Sequence, residues 1–394
     1  MRLVYSLEEP PHSFNKSIFL AGPTPRSPEV RSWRPEALEI LGRLNYDGVV
    51  FIPENRNNDY AEFDKDLYPP WEHRTMGMSD LIIFWVPRDL ALLSDGMSKM
   101  PALTTNIEYG LSAHWGKSLF GPPKGQKNDY LKFVAEKSEY NIPQFDTLEE
   151  MLDRAVKLLD RGALRYGGER EIPLQLWNTH SFQLWYQSQK CAGNRLDGAR
   201  VCWTFKIGRN KDKVFYWVLH PNIYVTSENR NKLNESFISR FDISAVVLYK
   251  RGDNLLDSEI VLVREFRSPV RNSGGFVWEL PGGSSFGIDP LQTAVEEVFE
   301  EVGLKVDKSR FRAHQSRQMA ATLSAHHGVL YSVELTDEEL EWCKGQKDIP
   351  HGADYPHNPT GERVYTEVLT VREILEKDLV DWSNLGMIAK VMGF

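Results

Sequence analysis

Short apolar runs alternate with amphipathic stretches through the first 160 residues. Residues 17–21, 48–53 and 80–86 are nearly continuous runs of β-branched, leucine and aromatic side chains, and 117–120 is a fourth. Between them lie Ala37, Leu38, Leu41 and Leu44 at helical spacing, a helical stretch at 104–115, and the apolar stripe Leu148, Met151, Leu152, Ala155, Leu158 and Leu159. A strand buried on both faces needs no polar alternation, and the connection between two parallel strands is usually a helix. The pattern therefore predicts an α/β fold whose parallel sheet is covered by helices on both faces. Ligands of such sheets sit outside the strand carboxyl ends. Those ends are Gly22-Pro23-Thr24, Pro53-Glu54-Asn55, Val86-Pro87-Arg88 and Gly121-Pro122-Pro123.

The charged, glycine-rich stretch 161–171 (RGALRYGGERE) reads as a linker. It divides the chain into domains 1–162 and 163–394. Residues 174–177, 201–205 and 214–219 read as strands, and from 243 the alternation sharpens into strands at 245–249 and 260–263, joined through Gly252-Asp253-Asn254. A helix follows, opened by Asp289-Pro290 and stopped by Gly303. Leu291, Ala294, Val295, Val298 and Val302 form its apolar stripe, and Glu296, Glu297, Glu300 and Glu301 lie opposite. Like charges four residues apart destabilise a helix. Clustered carboxylates that tolerate this repulsion are the donor set that Mg²⁺ or Mn²⁺ selects. Residues 318–322 to His326-His327 should face that helix, and a strand at 362–368 with a terminal helix from 371 completes a mixed sheet flanked by helices.

At 394 residues, with 41% hydrophobic and 26% charged side chains, the chain has the composition of an ordinary globular protein of two domains. No apolar run reaches the roughly 20 residues of a membrane helix. The first residues lack the apolar core of a signal peptide, so a cytoplasmic location and no membrane partner are expected. Cys191, Cys202 and Cys343 have no CxxC spacing and read as buried thiols rather than ligands or disulfides. The net charge of −8 disfavours nucleic acid as a partner.

Two resemblances sharpen the expected chemistry. The run Glu297-Val298-Phe299-Glu300-Glu301-Val302-Gly303-Leu304, led in by Trp278-Glu279-Leu280-Pro281-Gly282-Gly283, resembles the Nudix box. Glu296 stands where that motif has Arg, and Asp289 is the nearest candidate for its early Glu. The resemblance implies an α/β/α sandwich that hydrolyses a nucleoside diphosphate derivative with Mg²⁺ or Mn²⁺. By it Glu297, Glu300 and Glu301 hold the metal, Glu301 or a loop carboxylate assists the base, and Glu279 is a further metal or water contact. Arg264-Glu265-Phe266-Arg267-Ser268-Pro269 resembles the Q-[FY]-R-x-P element of ADP-ribose-type members, with Glu265 in place of Gln. Arg264 and Arg267 are then the substrate-phosphate candidates, because a guanidinium fork donates two parallel hydrogen bonds. The strands between 174 and 219 loosely resemble the layer with which such enzymes form homodimers.

The second resemblance covers about residues 15–160. Phe19-Leu20-Ala21-Gly22-Pro23-Thr24, Trp71-Glu72, Met78-Ser79-Asp80 and Thr104-Thr105-Asn106-Ile107-Glu108-Tyr109-Gly110 resemble the nucleoside 2-deoxyribosyltransferase-like family. It implies a flavodoxin/Rossmann-like parallel sheet in which Glu108 attacks the anomeric carbon of a nucleoside. Glu108 follows a strand-end loop early in a helix, where free backbone N–H groups favour an ionised carboxylate. Gly22, Trp71, Asp80 and Asn106 are candidate substrate contacts, with core packing as the alternative for Trp71 and capping of the third strand for Asp80. The acid that helps the base leave is left open among Asp95, Glu72 and Glu54. Together the resemblances imply a bifunctional hydrolase of a small nucleotide or nucleoside. The alternative is that one domain is a silent nucleotide sensor regulating the other.

Overall fold

The computed structural model describes residues 1–394 except 26, 28, 57–63, 65, 127, 138–141, 209–212, 287–288 and 353–360. The fold is mixed α/β, with a parallel sheet, a mixed sheet and antiparallel ribbons. It divides into two compact units, Met1–Ile238 and Ser239–Phe394.

The apolar runs of the first unit form β1 (Arg2–Tyr5), β2 (Ser17–Ala21), β3 (Val49–Ile52), β4 (Leu81–Trp85) and β5 (Ser118–Gly121). All pairings are parallel, in the order β1-β3-β2-β4-β5. Every residue of β2, β3 and β4 is buried, which explains their lack of alternation. Helices α1 (Arg34–Arg43) and α5 (Leu148–Leu159) cover one face through Ile40, Leu41, Met151 and Leu152. Helices α2 (Tyr68–Met78), α3 (Leu103–Ser112) and α4 (Asp129–Glu136) cover the other through Met76, Tyr109 and Leu131.

From β2 the chain steps to β3 on one side and later to β4 on the other. The switch point therefore lies at the carboxyl ends of β2 and β4. A Cβ on Gly22 there would stand 2.2 Å from the Trp85 carbonyl oxygen and 2.8 Å from the Trp33 ring. Glycine is what lets the two strand ends meet. Gly22→Ala is accordingly expected to cost about 1–3 kcal/mol, the usual penalty of forcing atoms into a packed site. Thermal denaturation checks this; an unchanged midpoint would mean that the strand ends can separate freely.

The stretch 161–171 is anchored rather than free. Arg165 is fully buried, and its two terminal nitrogens each donate to the Asp80 carboxylate at 2.7 Å. Arg165–Tyr166 also pairs antiparallel with Ser13–Phe14. Leu174–Trp177 is a single helical turn, not a strand; a four-residue apolar run after Pro173 is compatible with either. Helix α6 (His180–Cys191), which the apolar pattern does not announce, starts at Thr179, whose hydroxyl accepts the Phe182 N–H. It packs with the hairpin β6 (Arg195–Ile207) and β7 (Lys213–Val225) around Trp217, whose indole donates to Ser181 Oγ at 3.0 Å. Lys206 of β6 donates to the Gly116 carbonyl at 2.5 Å. The layer 163–238 thus belongs to the first unit, and the boundary expected at 162/163 falls at 238/239.

The second unit is built on β8 (Ile243–Lys250), β9 (Glu259–Phe266), β10 (Phe276–Glu279), β11 (Gly282–Ser284), β12 (His327–Glu334) and β13 (Val364–Thr370). β12 runs parallel to β8, while the β8–β9, β9–β13, β9–β10 and β8–β11 pairings are antiparallel. Helices α7 (Pro290–Val302) and α8 (Asp337–Gly345) pack on one face of this mixed sheet. Helices α9 (Val371–Glu376) and α10 (Trp382–Met392) pack on the other. No helix among the described residues is long and apolar enough to cross a membrane.

Candidate active sites

Glu108 stands in the second turn of α3, past the free N–H groups of the helix start. Its environment is therefore set by burial and neighbours rather than by the helix terminus. Glu72, in the first turns of α2, donates a hydrogen bond to it. Burial and then the Glu108 charge push the Glu72 carboxyl up to about 8, with Arg34 opposing. Burial also raises Glu108, but Arg34 and the hydrogen bond from Glu72 pull it back. Two adjacent carboxyl groups cannot both ionise cheaply, so the pair tends to keep a proton, and the larger upward shift is that of Glu72.

Arg34, which the sequence reading passed over, organises this end of the sheet. It is fully buried and donates to the carbonyls of Leu20 (3.1 Å), Gly22 (2.8 Å) and Pro23 (3.4 Å), and to Thr24 Oγ1 (3.3 Å). Its ion pair with Glu54 spans 2.6 Å, and Ser32 Oγ also donates to Glu54. Glu54 is thereby committed as a counter-ion. Asp95 is exposed and spends Oδ1 on the Met97 amide. Of the three acids left open, Glu72 is the one in contact with Glu108.

The remaining first-unit candidates separate. Trp71 is a core residue whose indole donates to the Glu8 carbonyl at 2.8 Å. Gly22 serves close packing at the switch point, as described above. Asn106 Oδ1 accepts from Arg88 at 2.8 Å, and both line a cavity of about 390 Å³ with Asn128 and Tyr130; neither Glu72 nor Glu108 lines it. Asp80 is corrected from a ligand contact to a buried structural acid. It sits at the amino end of β4, and its oxygens accept from Ser17, Arg165 and Leu174. Its place at the opposite end of the strand from the switch point follows from its position before Leu81.

In the second unit, α7 begins and ends as its sequence predicts. Asp289 accepts the Leu291 N–H at 3.1 Å, and Gly303 takes the left-handed conformation (φ 73°). The helix turns Glu301 inward, where it is 4% exposed and accepts the Gly282 N–H at 2.9 Å. Glu297 lies against Gly283, where a Cβ would stand 1.8 Å from its Oε1. Burial, then Glu300, Glu362 and Glu296, raise Glu297 to about 7. Burial and the Glu297 charge hold Glu301 well above the carboxylate range. Glu296 and Glu300 face solvent, and Glu296 accepts from Gln292 at 2.8 Å.

Glu279 is paired with Arg267. The Arg267 guanidinium pairs with Glu265 (2.7 Å), Glu279 (3.0 Å) and Glu362 (3.8 Å). Burial raises the Glu265 carboxyl to about 7 despite Arg267. Arg264 is sandwiched between the rings of Phe276 and Tyr365, 4.9 Å from each centroid, and pairs with Glu367 at 2.9 Å. Its duty is cross-strand packing, so of the two arginines only Arg267 reaches the acids near α7.

Negatively charged oxygens that raise one another's pKa are the donor chemistry a hard divalent cation relieves, and Glu297 and Glu301 fit it. Among the described residues, no three His, Cys, Asp or Glu side chains converge as a metal set. No family model matches this chain, and no curated protein matches it.

Proposed function

We propose that this chain is a nucleotide-processing hydrolase with two independent active sites. The first unit cleaves or transfers at an N-glycosidic bond. The Glu108 carboxylate attacks the anomeric carbon from one face of the sugar, and the protonated Glu72 gives its proton to the departing base. The covalent glycosyl-enzyme is then resolved by water or by a second base. The observation that carries this reading is the Glu72–Glu108 pair beside Arg34, two carboxyl groups from different helices brought into contact, both raised by burial and both opposed by Arg34. Arg34 meanwhile fixes the loop at the switch point.

The second unit, on the strength of its resemblance to the Nudix box, splits a diphosphate bond in a nucleoside diphosphate derivative. Glu297 and Glu301 would hold Mg²⁺ or Mn²⁺, and by the same resemblance Glu300 would join them from the exposed side of the helix. Such an ion, when bound, neutralises diphosphate oxygens and lowers the pKa of water. The Gly282 N–H holds Glu301 in place, and Arg267 offsets the charge of the neighbouring acids. One observation favours a second reading, in which this unit binds nucleotide without turnover: Arg267 is already paired with Glu279 and Glu265.

The test is a mass-spectrometric product screen with Mg²⁺ and Mn²⁺ over nucleosides, nucleotides, NAD, ADP-ribose and nucleotide sugars. Glu300→Gln is expected to lower nucleoside monophosphate release by about 100-fold or more, while free-base release stays at the parent rate. Monophosphate release unchanged in Glu300→Gln would remove that residue from the site. Release absent in the parent would leave the sensing reading.

A further inference from the structure

Helix α2, the turn that follows α3, and strand β6 enclose a cavity of about 330 Å³ inside the first unit. Its wall carries His73, Arg74, His114 and Arg200, together with the indoles of Trp115 and Trp203. Glu171 is the one acid among its described lining residues, and its Oε2 is spent on the Ala199 amide at 2.6 Å. A net positive wall is a local exception in a chain of net charge −8. Two lysines at the cavity serve to build it. Lys117 donates to the carbonyls of Met76 (2.8 Å), Gly77 (2.7 Å) and Ser79 (2.6 Å), tying off the end of α2. Lys206 joins β6 to the Gly116 carbonyl.

The two arginines are available. Arg74 reaches Glu9 only at 3.6 Å, with both side chains at least half exposed, a pairing worth little in water. His73 and His114 stand edge-on to the Trp115 ring, at 5.8 and 6.2 Å between centroids, and hold that indole in position. Trp203, 43% exposed, is braced by Phe205 stacked at 5.9 Å. An aromatic ring held in place offers a stacking face at small entropic cost, and a guanidinium fork beside it is suited to phosphate. The volume is within the range of small-molecule pockets, about 300–1,000 Å³.

We propose that this cavity is a second ligand site of the first unit, taking a planar aromatic ring that carries an anionic group, the chemistry of a nucleoside monophosphate. Arg34, Glu54, Glu72 and Glu108 do not line it, so the site stands or falls apart from the glycosidic reading.

Cys202 lines the same cavity, while Cys191 is exposed elsewhere and serves as an internal reference. The experiment measures iodoacetamide labelling of both cysteines by peptide mass spectrometry in the full chain, with AMP, adenosine or inorganic phosphate as probe. It is run in the parent and in Glu108→Gln, where AMP is not consumed. AMP at about ten times its dissociation constant is expected to slow Cys202 labelling about tenfold and to leave Cys191 unchanged. Adenosine or phosphate alone should protect far less. Arg200→Ala and Trp203→Ala, both changes at exposed side chains, should each raise the half-protecting AMP concentration by about tenfold or more. Equal Cys202 labelling with and without AMP overturns the proposal. So does protection that both variants retain, or protection that Glu108→Gln abolishes, which would place the ligand at the other site.

Discussion

Glu108→Gln is expected to lower the release of free base from a nucleoside substrate by roughly 10⁴-fold or more, the scale of removing a covalent nucleophile. Glutamine keeps the shape of the side chain but cannot displace a base. Nucleoside monophosphate formation by the second unit should continue at the parent rate. Chromatographic measurement of base and monophosphate in one reaction reads both. Base release within tenfold of the parent would remove Glu108 from the chemistry. The partner change, Glu72→Gln, removes the proton donor and is expected to cost 10²- to 10⁴-fold, about what a placed general acid contributes.

The pH profile tells the two roles apart. Glu72 must be protonated to act, so base release should fall as pH rises through about 8. Glu108 must be ionised, so release should also fall as pH drops through its raised pKa. The parent profile is then a bell, and Glu72→Gln should lose the alkaline limb and keep the acid one. Stability carries the same sign. The folded chain holds a proton on Glu72 that the unfolded chain releases above about 4.5, so this group's contribution is lost as pH rises toward 8. Glu72→Gln should therefore raise the thermal midpoint at pH 8 more than at pH 4. A profile with no alkaline limb in the parent would sink the assignment.

The parts of this protein that were legible in its sequence are those governed by local rules. Strands β2 to β4 show no alternation because helices cover both faces, and α7 carries its own start and stop in Asp289 and Gly303. Glu108 was singled out by its motif, and its place on the helix of the third connection followed from the alternation of strands and helices. What could not be read depends on partners far apart in sequence. Glu72 differs from Glu54 and Asp95 only in what folding brings against it: Glu108 for the first, Arg34 for the second, solvent for the third. Arg34 precedes Pro35 at a helix start and has no local feature that separates it from a surface arginine. In the second unit, Arg267 meets Glu279 because β9 and β10 pair, a register fixed by Val263 opposite Glu279. No spacing rule announces that pairing.

Arg165 is the sharpest case, since a charged residue between glycines reads as solvated linker. Its burial leads to the second large prediction. Asp80→Ala is expected to destabilise the first unit by about 3–5 kcal/mol, the cost of leaving a buried partner charge uncompensated. Arg165 would keep two donors aimed at an empty site, and the Ser17 and Leu174 amides would lose their acceptor. For a unit of this size the midpoint should fall by about 10 °C. The double change Asp80→Leu with Arg165→Met should recover much of that loss, because an apolar pair of similar volume needs no desolvation. Base release per folded molecule should be near the parent value in both. A ligand-binding Asp80 would behave oppositely, raising KM with little change in midpoint. The same pair decides where the first unit ends: a chain stopped at residue 162 lacks Arg165 and strands Asp80 in the core, whereas one stopped at 238 keeps the pair and the hairpin that packs with it.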